Sequence, residues 1–347
     1  MSDDDRSGRT DGNGDGDPDG LSRRRLLLGG GAALSALGAG KAAHNTVLGY
    51  GRIGPGTNLR DQELTPLLTE RLAPRYAEPI GDTPVRAGAS TLVVAPDSGD
   101  ETRLSFSADD PAAAAEIDRQ TGSDGRLTAL FSDLSAFHAG EYAFEFHRPT
   151  EFFERVEGAD ARPETAAAIR DARDREVDPA VIERFAGVDP AATRALVGGL
   201  LEGFREHTNY DVPRYLAGSV EDNVLLGAHD VRQYFETDVD FASLLEADSS
   251  GIFCWELVFR SIEALQAVDP TAQTVPVAAC YVSDSRHKHA FTGVLCPIRT
   301  EGGELRFPMT FLDYTHSTLY DDLRATAILG DGLDAYGTSH RATDIYW

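Results

Sequence analysis

Ser249-Ser250-Gly251-Ile252-Phe253-Cys254-Trp255-Glu256-Leu257-Val258-Phe259 is the stretch on which the reading of this chain turns. A Ser/Ser/Gly turn gives way to an amphipathic pattern continued by Ile262 and Leu265, which places Cys254 at or near a helix N-terminus. There the positive end of the helix dipole favours a thiolate, the form of cysteine that attacks a carbonyl carbon. Backbone N–H groups at such a terminus can also form part of an oxyanion hole. Further along, Ser285-Arg286-His287-Lys288-His289-Ala290-Phe291-Thr292-Gly293-Val294-Leu295 reads as a loop entering a strand, with His289 at the strand's start, well held for use as a base. Phe311-Leu312-Asp313-Tyr314-Thr315 then puts an aspartate at the end of an apolar strand, where it can accept the imidazole's second N–H and fix the ring's tautomer. A cysteine taken alone is most often a small buried hydrophobe. The weight therefore rests on the three stretches together.

Cys, then His on a strand, then Asp on the next strand is an order that resembles the transglutaminase-like superfamily, a branch of the papain-like cysteine fold. Gly251…Cys254-Trp255 looks like that family's Gly-x-Cys-Trp turn, His289-Ala290-Phe291 like its His-Ala-Trp strand, and Asp313-Tyr314-Thr315 like its Asp-Pro-Thr. The strand 274–282, opening Val275-Pro276, and the helix 190–207 ending near Asn209-Tyr210 also sit where the family has them. The likeness covers about 190–325. There are departures: two residues separate Gly251 from Cys254, Phe291 stands for Trp, Tyr314 stands for Pro, and no side-chain oxyanion partner stands out, Asn223 and Gln233 being candidates by type only. The resemblance implies an α+β fold with N-terminal helices packed on an antiparallel sheet. It also implies the roles: Cys254 as nucleophile, His289 as general base and acid, Asp313 as orienter, with no cofactor and a peptide or protein substrate. The expected function is cysteine-dependent acyl transfer, most simply hydrolysis. The alternative is an inactive relative acting as a cell-surface binding or assembly module.

Outward from this core, the chain carries 57 Asp+Glu against 32 Lys+Arg, a net charge of −25, and only two of its basic residues are lysines, Lys41 and Lys288. Such a polyanion does not hold a nucleic-acid backbone by counterion release. The acids are spread along the chain and form no EF-hand loop. A surface of this kind suits concentrated salt, where a Debye length of roughly 3 Å screens self-repulsion. Asp238…Asp240 and Asp321-Asp322 read as solvated surface, and no phosphate loop, dinucleotide fingerprint or His-Glu-x-x-His occurs. No apolar run reaches the ~20 residues of a membrane span.

The N-terminus reads as an address. Ser22-Arg23-Arg24-Arg25-Leu26-Leu27-Leu28, followed by an apolar Gly/Ala-rich stretch and Lys41-Ala42-Ala43, looks like a twin-arginine export signal. The expected partner is the twin-arginine translocation machinery and the expected location extracellular or cell-surface, with membrane contact only through an uncleaved signal segment. The expected organisation is a disordered N-terminus and signal (1–43), a linker and short helix (44–83, the helix at 62–76), a small β-rich accessory region (84–150) and a helical segment with the transglutaminase-like core (151–347). Strands are expected at 89–94, 103–106, 126–131 and 141–146, the last alternating cleanly. Asp178-Pro179 and Asp189-Pro190 both read as helix starts, and Ala192, Leu196, Leu200 and Phe204 make one apolar stripe.

Two other readings concern the cysteines. Cys280, His287, His289 and Cys296 are spaced symmetrically, which suits either a zinc site or a hairpin centred near Lys288 whose strands face Cys280 with Cys296 in a disulfide. Register is not readable from sequence and leaves both open. His207, His229, His316 and His340 stand alone and read as surface or satisfied core residues.

Overall fold

The computed structural model describes residues 62–96, 100–107, 111–170, 177–211, 239–246, 250–285, 289–315 and 341–347. The signal segment 1–43, the candidates Asn223 and Gln233, the histidines 229, 287, 316 and 340, and Asp238, Asp321 and Asp322 lie outside them. The fold is mixed α+β with mainly antiparallel sheets, as expected.

Helix α1 (Thr65–Arg71) leads to an antiparallel meander of β1 (Pro79–Ile80), β2 (Thr83–Ala87), β3 (Thr91–Val94) and β4 (Thr102–Ser105). Burial alternates along β2 and β3, so one face turns inward. Helices α2 (Pro111–Thr121) and α3 (Arg126–Ala139) cover that face. Residues 126–131, expected as a strand, are therefore the first half of a helix. Leu127, Leu130, Phe131 and Leu134 bury at steps of three and four, and a six-residue window is too short to separate that period from a buried strand. Asp118 anchors the helix start: its buried carboxylate accepts the N–H groups of Gly125 (3.1 Å) and Thr128 (2.9 Å) and the Thr128 hydroxyl (2.6 Å). Strand β5 (Tyr142–Phe146) forms where expected but leaves this small sheet for a larger one.

Next come α4 (Pro149–Val156), β6 (Asp160–Ala161), α5 (Pro163–Ile169), α6 (Pro179–Ala186) and α7 (Thr193–His207). Asp178 caps α6 by accepting the Ala180 N–H at 2.9 Å. Asp189 accepts the Ala191 N–H in the same way (2.8 Å), but this closes only a turn, and the helix begins at Thr193. Three of the four stripe residues lie on α7, where Leu196, Leu200 and Phe204 are buried and face the core, while Ala192 is its half-buried N-cap. Gly203 lets α6 and α7 meet backbone to backbone, because a Cβ there would lie 2.5 Å from the Phe185 carbonyl oxygen.

The last part of the chain supplies β7 (Thr208–Tyr210), α8 (Phe241–Glu246), β8 (Ser250–Ile252), α9 (Cys254–Gln266), β9 (Ala278–Asp284), β10 (His289–Leu295), β11 (Ile298–Arg299), β12 (Leu305–Leu312) and β13 (Asp344–Tyr346). The large sheet has the order β13-β9-β10-β12-β11-β6, with β5 added parallel to β12. It is a central layer. Leu196, Leu257, Val258 and Leu265 of α7 and α9 bury against Ala279, Ala290, Val294 and Cys296 on one face. Leu68 of α1 and Ala136 of α3 bury with Cys280, Val282, Phe291 and Leu295 on the other. Coverage on both faces explains why every residue of β10 is buried. Asp133 of α3 clamps the layers together: it is fully buried and takes Arg162 (2.9 Å), Arg299 (2.7 Å) and the Thr165 hydroxyl (2.6 Å). The bonds that complete this buried ion cluster are what make it tolerable.

The β9–β10 register settles the cysteine question. Cys280 pairs with Gly293 and not with Cys296. The two thiols bury in opposite faces of the sheet, Cys280 in one apolar cluster and Cys296 in the other, and all three cysteines are free. A shift of three residues from the symmetric hairpin is odd, and an odd shift exchanges faces. No disulfide joins them, and they cannot serve one zinc ion.

Candidate active site

The local fold brings three chain segments to one end of the large sheet. Strands β7 and β8 pair in parallel, with Gly251 opposite Asn209, so the chain rises from β8 directly into α9. Phe253 is extended (φ −105°, ψ 164°) and Cys254 is the first helical residue. Its N–H has no acceptor within the helix, which is where an oxyanion can be met. Two acids shape this turn. Glu256 reaches back to accept the Phe253 N–H at 2.7 Å. Asp211, whose N–H donates to the Ile252 carbonyl (3.2 Å), lies so close to Gly251 that a Cβ there would sit 2.8 Å from its carboxylate. The glycine thus meets a packing need one residue earlier than in the resembled motif.

His289 opens β10, and Asp313 follows directly on β12, the strand paired with β10. His289 Nε2 and Asp313 Oδ2 are 2.8 Å apart, with both side chains 1% exposed. The other carboxylate oxygen, Oδ1, accepts the Thr315 N–H at 3.0 Å, which fixes the acid's orientation. Tyr314 locks the segment from below, its hydroxyl donating to the Val197 carbonyl (3.4 Å) and its ring edge-on to Phe204 at 5.2 Å. On the strand, His289 stacks over Phe291 at 6.3 Å. With Nε2 committed to Asp313, Nδ1 is the ring nitrogen left for Cys254, whose sulfur is near enough to raise the His289 pKa.

The electrostatics follow from these contacts. Burial opposes charge on the His289 ring, but the Asp313 carboxylate, by charge and hydrogen bond, and the Cys254 sulfur outweigh it and push its pKa up to about 10. Cys254 itself is half-buried, its sulfur at the positive end of α9. Burial pushes the Cys280 and Cys296 thiols up, so neither is a competing nucleophile. The arrangement can do nucleophilic chemistry: a sulfur at a helix tip, an imidazole holding a proton, and a buried acid behind the ring.

All three residues singled out in the sequence are thus brought together. Glu256, Asp211 and Tyr281 were not singled out. Glu256 stands three residues after Phe253, the spacing of a capping box, but phenylalanine has no side-chain acceptor, so only the glutamate's half of the box is made and the usual signal is missing from the sequence. Tyr281 touches the site from β9, where burial, then the charges of Cys254 and Tyr346, raise its pKa to about 12. Among the described residues no group of three or more His, Cys, Asp or Glu side chains is arranged to hold a metal ion, and no helix is long and apolar enough to cross a membrane. Compared with protein-family models, with curated proteins and with solved structures, the chain gives no match.

Proposed function

We propose that this protein is an exported cysteine-dependent acyl-transfer enzyme of the transglutaminase-like superfamily, hydrolysing a peptide or amide bond. The observation that carries the reading is the buried His289–Asp313 pair at 2.8 Å, with Cys254 at the start of α9 near enough to act on the His289 charge. The order of the three along the chain, helix start then neighbouring strand ends, supports the superfamily, as does a helical layer on an antiparallel sheet. The Arg23-Arg24 signature and the charge of −25 support twin-arginine export into a saline exterior.

In this reaction the Cys254 thiolate attacks the amide carbonyl and a C–S bond forms. Charge on the carbonyl oxygen is met by N–H groups at the start of α9. His289 gives its proton to the leaving amine as the C–N bond breaks, which leaves an acyl-thioester and a neutral imidazole. Water then enters. His289 takes its proton while the new hydroxyl bonds to the acyl carbon, the C–S bond breaks and the thiolate returns beside the imidazolium. Asp313 stays ionised throughout and steadies the ring. Water is the most abundant acceptor, which favours hydrolysis over transfer to an amine.

The test is alkylation by iodoacetamide in molar salt. Cys254 should react below pH 8 faster than a free thiol, His289→Asn should slow it by at least about tenfold, and Cys254→Ala should keep the fold and remove turnover. A wild-type Cys254 that is inert in the folded protein, or that reacts alike with and without His289, refutes the proposal and leaves a binding module.

A further inference from the structure

Trp255 and Tyr346 are the exposed large hydrophobic side chains among the described residues, each 41% exposed. They are distant in sequence but belong to one aromatic row. Trp255 meets Phe259 one turn along α9 (centroids 6.0 Å, edge-on), Phe259 meets Tyr281 of β9 (5.5 Å), and Tyr281 meets Tyr346 of the edge strand β13 (6.1 Å). The Arg71 guanidinium lies 4.7 Å over the Tyr346 ring and pairs with Asp344 at 3.1 Å, which ends the row with a charge. The other end starts beside the nucleophile, since Trp255 adjoins Cys254 in the chain. The middle is close to it as well, because Cys254 and Tyr281 line the edge of the same apolar cluster.

Core packing accounts for the buried sides of Phe259 and Tyr281. It does not account for two large rings presented to solvent on a chain whose surface is otherwise acidic. Aromatic surface left in water forfeits its transfer free energy unless something covers it in use. A row of rings leading away from a reactive sulfur presents one chemistry to an acyl donor: flat, apolar contact for a side chain flanking the scissile bond.

We infer that this row is a substrate wall that selects an aromatic or large apolar side chain adjoining the amide that Cys254 attacks. The inference rests on the proposed function of Cys254. An acidic side chain at that position would have to shed water against the Trp255, Phe259 and Tyr281 rings, and the cation at the far end, Arg71, is already paired with Asp344.

The experiment uses the full chain in molar salt with peptidyl chloromethyl ketones ending in Phe, Gly or Asp, following the rate of Cys254 labelling by mass spectrometry. The Phe reagent should label at least about tenfold faster than the Gly reagent, with Asp slowest. In the double variant Trp255→Ala/Tyr346→Ala the Phe/Gly ratio should fall to within about twofold of unity. Equal Phe and Gly rates in a wild type that still shows His289-dependent alkylation by iodoacetamide would overturn the wall and spare the triad. A Phe preference that survives the double variant overturns the wall too. Loss of His289-dependent alkylation removes both.

Discussion

Replacing Asp313 by Asn isolates the charge of the buried acid while keeping its shape and a hydrogen-bonding amide. In the wild type, burial disfavours the charged ring, yet Asp313 and Cys254 raise the His289 pKa from 6.5 to about 10. A raised pKa means that the folded protein binds the proton more tightly than the unfolded chain does. The resulting stability is fully present below about pH 6.5 and is lost as pH climbs towards about 10. Linkage between those two values gives on the order of 5 kcal/mol at pH 5, on the order of 4 at pH 7 and about 1 at pH 9. Without the carboxylate, the largest contribution holding the proton is gone and only Cys254 still opposes burial, so the pKa of the ring falls. Asp313→Asn should therefore lose several kcal/mol at pH 5 and 7 and little at pH 9. The assay is urea unfolding of both proteins at the three pH values and constant ionic strength. A penalty that does not change with pH would refute the reasoning, because it would mean that Asp313 steadies a neutral ring by packing and hydrogen bonding alone.

Gly251→Ala should cost about 1–3 kcal/mol and slow Cys254 alkylation, since the new Cβ falls 2.8 Å from the Asp211 carboxylate and must push β7 and β8 apart; unchanged alkylation would show the turn to be compliant. Asp133→Ala takes the buried carboxylate from Arg162 and Arg299, which keep only Asp160 and the Ser132 and Gly303 oxygens, and should cost about 3 kcal/mol, read as a fall in the urea midpoint, while Asp133→Asn should retain part of the Thr165 contact and lose less. A thiol-reactive chromophore should read one cysteine in the folded protein and three after denaturation without reductant, because Cys280 and Cys296 are buried and unpaired. A count of one after denaturation would restore the disulfide.

The site was legible because its signals are local. A helix start needs only a turn, an apolar period and a few residues, and Cys254 carried all of them. His289 and Asp313 each sit at the end of an apolar run that reads as a strand by itself. What the sequence withheld depends on partners far along the chain. The run at 126–131 is equally apolar as helix or strand, and only the long face down to Leu134, together with Asp118 anchoring its start, makes it α3. Asp189-Pro190 carries the same chemistry as Asp178-Pro179, but its turn closes at Ala192, just before the helix, which begins where the Thr193 hydroxyl finds the Val275 carbonyl at 2.7 Å.

Register is the sharpest case, and it also explains why the site tolerates its neighbours. The symmetric spacing of Cys280 and Cys296 about Lys288 invites a disulfide, yet the strands slip so that Cys280 covers Gly293. A Cβ at Gly293 would be 2.6 Å from the Cys280 sulfur and 2.6 Å from the Met309 methyl, so the sulfur and the methyl already fill the space over the glycine. That small residue in the middle of β10 lets three strands close up beneath bulky neighbours, and the slip puts the two spare thiols into opposite faces of the sheet. Each is then sealed in apolar packing, where burial holds the thiol protonated. The outcome sought from a disulfide, a single accessible cysteine near His289, is reached without one: packing seals the other two sulfurs, and Cys254 alone is left at a helix tip.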